Sequence, residues 1–167
     1  VAASSDDCGV WLDSSTWKIS LSSIVCFAGY GTAATEIKMG SGFRFLNVTI
    51  PNSAVIQTAY LTIVCYDTRA QTIVNTRITG DDEDNAATWS TIANYQARRG
   101  TVVGGADDTK ITTAQVGWDS IPAWTAGASY NSPEIKTIIQ EIVDRAGWVS
   151  GNALALWWDD HDARGTQ

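Results

Sequence analysis

Along most of the chain, apolar and polar residues alternate with a period of two, the signature of strands that present one face to a core. Residues 43–48 read Phe-Arg-Phe-Leu-Asn-Val and predict a half-buried strand. After the turn at Pro51, Asn52 and Ser53, residues 54–66 (AVIQTAYLTIVCY) are dense in β-branched and aromatic types and predict one long, well-buried strand. Further strands are expected over residues 71–79, 112–118 and 152–158, with Gly80 opening a polar loop after the first of these. In the last strand, NALALWW, Trp157 and Trp158 are adjacent and must point to opposite faces. One is expected in the core and the other toward a helix or solvent.

The period changes after Ser132. Ser132 stands where an N-cap belongs, Pro133 at the first helical position and Glu134 in the first turn. Ile135, Ile138, Ile139, Ile142 and Val143 then form a single apolar stripe, with Arg145 in the last turn and Gly147 closing it. This predicts one amphipathic helix near 133–146. Residues 89–98 are ambiguous between a short helix and a loop, and residues 99–108, with three glycines, read as an excursion. Strands without βαβ alternation, plus a helix, predict a mainly β protein: an antiparallel, jelly-roll-like β-sandwich. Residues 1–42, rich in Ser, Gly, Thr and Ala, are expected to add short strands to the domain formed by residues 43–167.

Composition narrows the function classes. At 167 residues the chain fits one domain with a core of its own. A net charge of −7 argues against nucleic-acid binding, which needs clustered Lys and Arg, and against docking on an anionic membrane surface. No apolar run approaches the ~18 residues of a membrane span. Cys8, Cys26 and Cys65 leave three states open: three buried thiols, one disulfide with a free thiol, or a partner Cys outside the chain. With His161 as the one histidine and no Cys beside it, zinc is not expected.

Two constellations carry candidate chemistry. Asp81, Asp82, Glu83 and Asp84 place four carboxylates in a row, and Asp159, Asp160 and Asp162 form a second cluster at a strand end. Hard oxygen ligands suit Ca²⁺, so the two clusters are candidate calcium ligands; the alternative is a solvated acidic loop. The chain also has eight Trp. Trp118, Trp124, Trp148 and Trp158 are candidates for a glycan-stacking or protein interface, against the plainer alternative of core packing. His161 lies among aspartates, but no nucleophile motif such as G-x-S-x-G accompanies it, and a non-enzymatic role is expected.

Four stretches together carry a family resemblance: SSDDC, GFRFLNVTIPNSAVIQTAYLTI, ITGDDEDNAATWS and VGWDSIPAWTAGASYNSPEIKTIIQEIVDRAGWVSGNALALWWDD. The set resembles a Trp-rich β-sandwich domain of tailed-phage virion surface proteins and secreted bacterial proteins, and more distantly carbohydrate-binding modules of the DNRLRE type. The resemblance implies a structural role on a virion surface or outside the cell. It carries no catalytic set. It further implies a closing strand after the Trp-Trp-Asp-Asp segment, which residues up to 167 do not supply; the strand then lies outside these residues, or a neighbouring subunit supplies it to an open sheet edge, or the domain closes differently. The leading expectation is a phage decoration or fibre-type protein that self-associates and packs on other structural subunits. The alternatives are a secreted carbohydrate-binding module using exposed Trp and calcium, and an extracellular filament subunit joined by strand addition.

Overall fold

The computed structural model describes residues 6–22, 25–32, 36–68, 74–99 and 110–159. The protein is mainly β. In chain order the elements are β1 (Asp7–Asp13), β2 (Thr16–Ser20), β3 (Gly29–Thr32), β4 (Glu36–Phe45), β5 (Thr62–Val64), β6 (Thr76–Asp81), α1 (Ile92–Arg99), β7 (Ile111–Trp118), β8 (Ser129–Asn131), α2 (Lys136–Val143) and β9 (Leu154–Asp159). The large sheet runs β2-β1-β4-β9-β6-β7 and is antiparallel throughout. Met39 of β4 faces Trp11 of β1 on one edge and Gly29 of β3 on the other, so β3 takes up the edge that β9 leaves beyond Asp159. β5 and β8 form a small second sheet.

β9 explains this arrangement. Every residue of Leu-Ala-Leu-Trp-Trp-Asp is buried. Ala155 and Trp157 face a cluster with Cys8, Val10, Trp89 and Tyr95, beneath α1. Leu154, Leu156 and Trp158 face the larger cluster, beneath α2 and the β5 segment. Trp157 is 0% and Trp158 5% exposed: the two rings point to opposite faces, and the one on the side of the predicted helix is buried in its cluster rather than left to solvent. A sheet covered on both faces leaves neither side of its central strand wet. Burying each ring removes roughly 150–250 Å² from water, on the order of 4–6 kcal/mol. β9 is laddered to β4 on one edge and β6 on the other, so this chain itself covers the edge near Trp157; the sheet ends at β2 and β7.

Residues 54–66 do not form one long buried strand. Only β5 enters a ladder, with β8. Upstream, side chains and the turn before α2 satisfy the backbone instead. Ile56 N–H donates to Gln140 Oε1 at 2.8 Å, Gln140 Nε2 donates to Ala54 O at 3.0 Å, and Ile135 N–H donates to Ala59 O at 2.9 Å. The outer positions are wet, Val55 at 76% exposure. Ser132 is not the N-cap of α2. Its Oγ accepts the Leu61 N–H at 3.0 Å and donates to Pro133 O, so the hydroxyl ties α2's approach to the β5 segment. The helix starts later than predicted, with Ile135 at its N-cap and no side-chain cap. All five stripe residues, Ile135, Ile138, Ile139, Ile142 and Val143, are buried in the larger cluster.

The ambiguous region resolves as a second helix, α1. The strand expected over residues 71–79 is laddered over β6, which runs on through Gly80 into Asp81; residues 71–73 lie outside the described residues, as do residues 100–108 of the predicted excursion, whose first residue, Arg99, ends α1. The β6–β7 register slips between Thr79 and Asp81, where Thr112 Oγ1 accepts the Gly80 N–H at 2.8 Å. Gly80 lies directly beneath α2: a Cβ there would come within 2.8 Å of Ile142 Cδ1 and 2.9 Å of Ile138 Cγ2. Gly80→Ala is therefore expected to destabilise the protein by about 1–3 kcal/mol through overpacking. A urea midpoint unchanged from wild type would overturn this placement of α2.

Candidate functional site

Four of the seven nominated acidic residues pair with arginines, Asp82 and Asp84 with the same one. Asp81 ends β6 on the face covered by α1, and its Oδ2 accepts from Arg98 at 2.5 Å with both side chains buried. Asp159 ends β9 on the same face and is held by a fork from Arg99, 2.9 Å from Nε to Oδ2 and 3.1 Å from the terminal nitrogen to Oδ1. Two consecutive arginines of α1 thus pin the helix to neighbouring strands. Asp81 lies one step past the Gly80–Leu156 pair and Asp159 is opposite Arg77, a separation of four residues along the ladder, roughly 13 Å. They are too far apart to ligate one ion together. Asp82 and Asp84 both pair with Arg145, Asp84 at 2.7 Å. Glu83 is exposed. Asp160, His161 and Asp162 lie outside the described residues. Among the described residues, no group of three or more His, Cys, Asp or Glu is placed to hold a metal ion.

Arg98 does more than pair with Asp81. Its guanidinium lies 3.9 Å above the Trp89 ring and also donates to Ala87 O at 2.9 Å. Trp89, Tyr95 and Trp157 pack around it with centroids 4.5–6.0 Å apart. Burial pushes the Asp81 carboxyl up and Arg98 draws it back; burial wins, and the group is raised from its ordinary value.

On the opposite face of the large sheet, three of the four nominated aromatics form one stack. Trp124 lies parallel to Tyr130 at 4.5 Å, and Trp118 is 5.5 Å from both Trp124 and Trp158. Trp118 and Trp158 are buried; Trp124 is half-exposed. Trp148 stands outside the stack, buried, with its Nε1–H on Ile50 O at 2.9 Å. Trp124 and Trp158 reach a solvent-open cleft of about 770 Å³ between β4 and β5. Phe27, Met39, Phe43 and Phe45 supply apolar wall, and both the inward residues of β5 and its outward residues Thr62 and Val64 border it. Among the described residues, the charged ones lining it are Asp7 and Asp67. Asp7 Oδ1 is buried without a hydrogen-bond partner, and burial pushes the carboxyl up. Beside the cleft, Tyr60, Val64 and Tyr66 are 52%, 62% and 71% exposed. No spacing in the sequence marked Asp7 or Phe27 as cleft residues, since the wall is assembled from segments scattered between residues 7 and 158.

All three cysteines are free thiols. Cys8 packs under Trp89 and burial pushes its thiol up to about 12; Cys26 borders the cleft and is pushed up to about 11. Cys65 donates to Asp67 O at 3.2 Å. Cys26 is exposed rather than buried.

Three outcomes follow from this electrostatic arrangement. Arg99→Met, which strips Asp159 of its buried fork, is expected to cost about 3–5 kcal/mol in urea unfolding, and Arg145→Met, at a partly exposed pair, less than about 1 kcal/mol. Equal costs would sink the distinction. Because the Asp81 carboxyl is raised, its ionisation opposes folding: the stability linked to it is fully present below about pH 3.9 and declines as pH rises through the folded value. Asp81→Asn should remove that decline, seen as a flatter urea midpoint between about pH 4 and pH 7; an unchanged slope contradicts the assignment. At pH 8 the native Cys26 thiol should alkylate about a hundredfold more slowly than in the unfolded chain, and Cys8 not measurably. Normal alkylation of Cys26 would remove it from the cleft wall.

Compared with protein-family models, with curated proteins and with solved structures, the chain finds no significant match in any of the three.

Proposed function

We propose that this chain is a non-enzymatic structural surface domain, of the decoration or fibre kind on a tailed-phage virion, that acts by packing on copies of itself and on neighbouring subunits. The observation that supports it most is the pairing of an exposed apolar face with a cleft. Val55, Tyr60, Val64 and Tyr66 point to solvent along one extended segment, and an apolar cleft opens beside them. Exposed apolar area in one place marks a contact surface more often than a reaction centre. The carboxylates nearest to a catalytic constellation are engaged with Arg98, Arg99 and Arg145, which suits a framework more than proton transfer.

A second reading is a secreted carbohydrate-binding module. It draws on the exposed rings of Tyr60 and Tyr66 and the half-exposed Trp124 stacked on Tyr130. Calcium would then be sought at Glu83 and the residues around it.

The deciding measurement is mass spectrometry and cryo-microscopy of purified source particles. The chain should be present in stoichiometric amount, with the Tyr60–Tyr66 segment at a subunit contact. Its absence from the particles sinks the first reading. Tyr60→Ser with Tyr66→Ser should abolish incorporation while shifting stability by no more than about 0.5 kcal/mol per site. Binding to a polysaccharide array, lost on adding a chelator, would favour the second reading.

A further inference from the structure

We infer that the outer edge of β5, with the cleft beside it, accepts an extended segment of another protein. That segment is apolar at alternate positions and carries a Lys or Arg between them that reaches Asp7. The inference rests on the surface-domain reading and supplies its partner.

The main chain carries the first part. In the β5–β8 ladder Leu61 O accepts the Ser132 N–H at 2.8 Å and Cys65 N–H donates to Ala128 O at 2.8 Å. Hydrogen bonding alternates along an antiparallel strand, so residues 61, 63 and 65 bond toward β8, and the N–H and C=O of Thr62 and Val64 point to the other edge. No strand among the described residues pairs with that edge, and Thr62, Val64 and Tyr66 border the cleft there. An unpaired row of donors and acceptors is a template for an added strand.

The cleft carries the second part. A strand laid on this edge turns alternate side chains toward the large sheet, onto the ring surfaces of Phe27, Phe43 and Phe45. A volume of about 770 Å³ holds several such side chains. Among the described residues, the charged side chains bordering the cleft are Asp7 and Asp67, and Asp7 Oδ1 is buried with no hydrogen-bond donor. An apolar wall with an unsatisfied carboxylate oxygen is complemented by an apolar segment with one cationic donor. A second copy of this chain fits this one edge less well, because it brings more carboxylates than cations, 18 Asp and Glu against 11 Lys and Arg.

The test uses the isolated full chain and the seven-residue probe acetyl-Thr-Val-Thr-Lys-Thr-Val-Thr-amide, whose Val, Lys and Val lie on one face of a strand. Titration followed by amide NMR should shift the Thr62 and Val64 resonances and slow their hydrogen exchange. A probe with Glu in place of Lys should bind at least about tenfold more weakly, and Asp7→Asn should erase that preference. N-methylating the probe's edge that faces β5 should abolish binding, whereas N-methylating the other edge should not. Shifts confined to other regions, no dependence on the probe's charge, or no dependence on which edge is methylated each overturn the inference. So does protection of the Thr62 and Val64 amides in the chain alone as its concentration rises, which would assign the edge to a second copy. A failure here leaves particle incorporation open to its own measurement, and a chain missing from particles can still bind the probe.

Discussion

Everything else in the fold depends on one strand being dry on both faces. β9 places Trp157 and Trp158 back to back, and neither ring can be left in water at a cost of several kcal/mol. One face must therefore be covered by α1 and its Trp89–Tyr95 pair, and the other by α2 and the β5 segment. The strand must also sit inside the sheet, because the backbone N–H and C=O groups along both its edges are buried with it and need ladder partners. β4 and β6 close on it from either side, and among the described strands β2 and β7 end the main ladder, with β3 beside β4.

The charges follow from that burial. A helix that covers a sheet face over two aspartates has to neutralise them, and α1 does so with Arg98 and Arg99 at its C-terminal turn. Cations at a helix C-terminus also complement the helix dipole. These pairs contribute little net stability, since taking four charges from water offsets most of their attraction. Their consequence is positional: α1 seats over β6 and β9 in one register, with the guanidinium of Arg98 stacked on Trp89. The nearer surface, where Asp82 and Asp84 share Arg145, ties the end of β6 to the end of α2 in the same way.

Periodic features were legible. The stripe from Ile135 to Val143 and the alternation through Trp157 and Trp158 both depend on local spacing, which the fold preserves. The strand near residues 112–118 was readable for the same reason. Residues 54–66 misled because β-branched density reports a preference for extended backbone but not which partner the backbone finds; Gln140 and Ser132 supplied much of that bonding. Ser132 misled because its hydroxyl had a rival donor in Leu61, far away in sequence. The acidic run was visible as a cluster, but its arginine partners lie 17 to 63 residues away, a pairing that no spacing encodes. The cleft was invisible, since its walls come from residues near both ends of the chain.

By itself the sequence determined that the chain is mainly β, that it has an apolar helix stripe, and that two adjacent tryptophans must face opposite ways. Those are properties of neighbours along the backbone, set by the periods of strand and helix. Tertiary structure alone decided which clusters the two tryptophans enter, that Asp81, Asp82, Asp84 and Asp159 meet arginines, and that no described strand pairs with the outer edge of β5 beside an apolar cleft. Each of these depends on which distant segments meet, and that is settled by burying the most apolar surface while leaving the fewest charges unpaired.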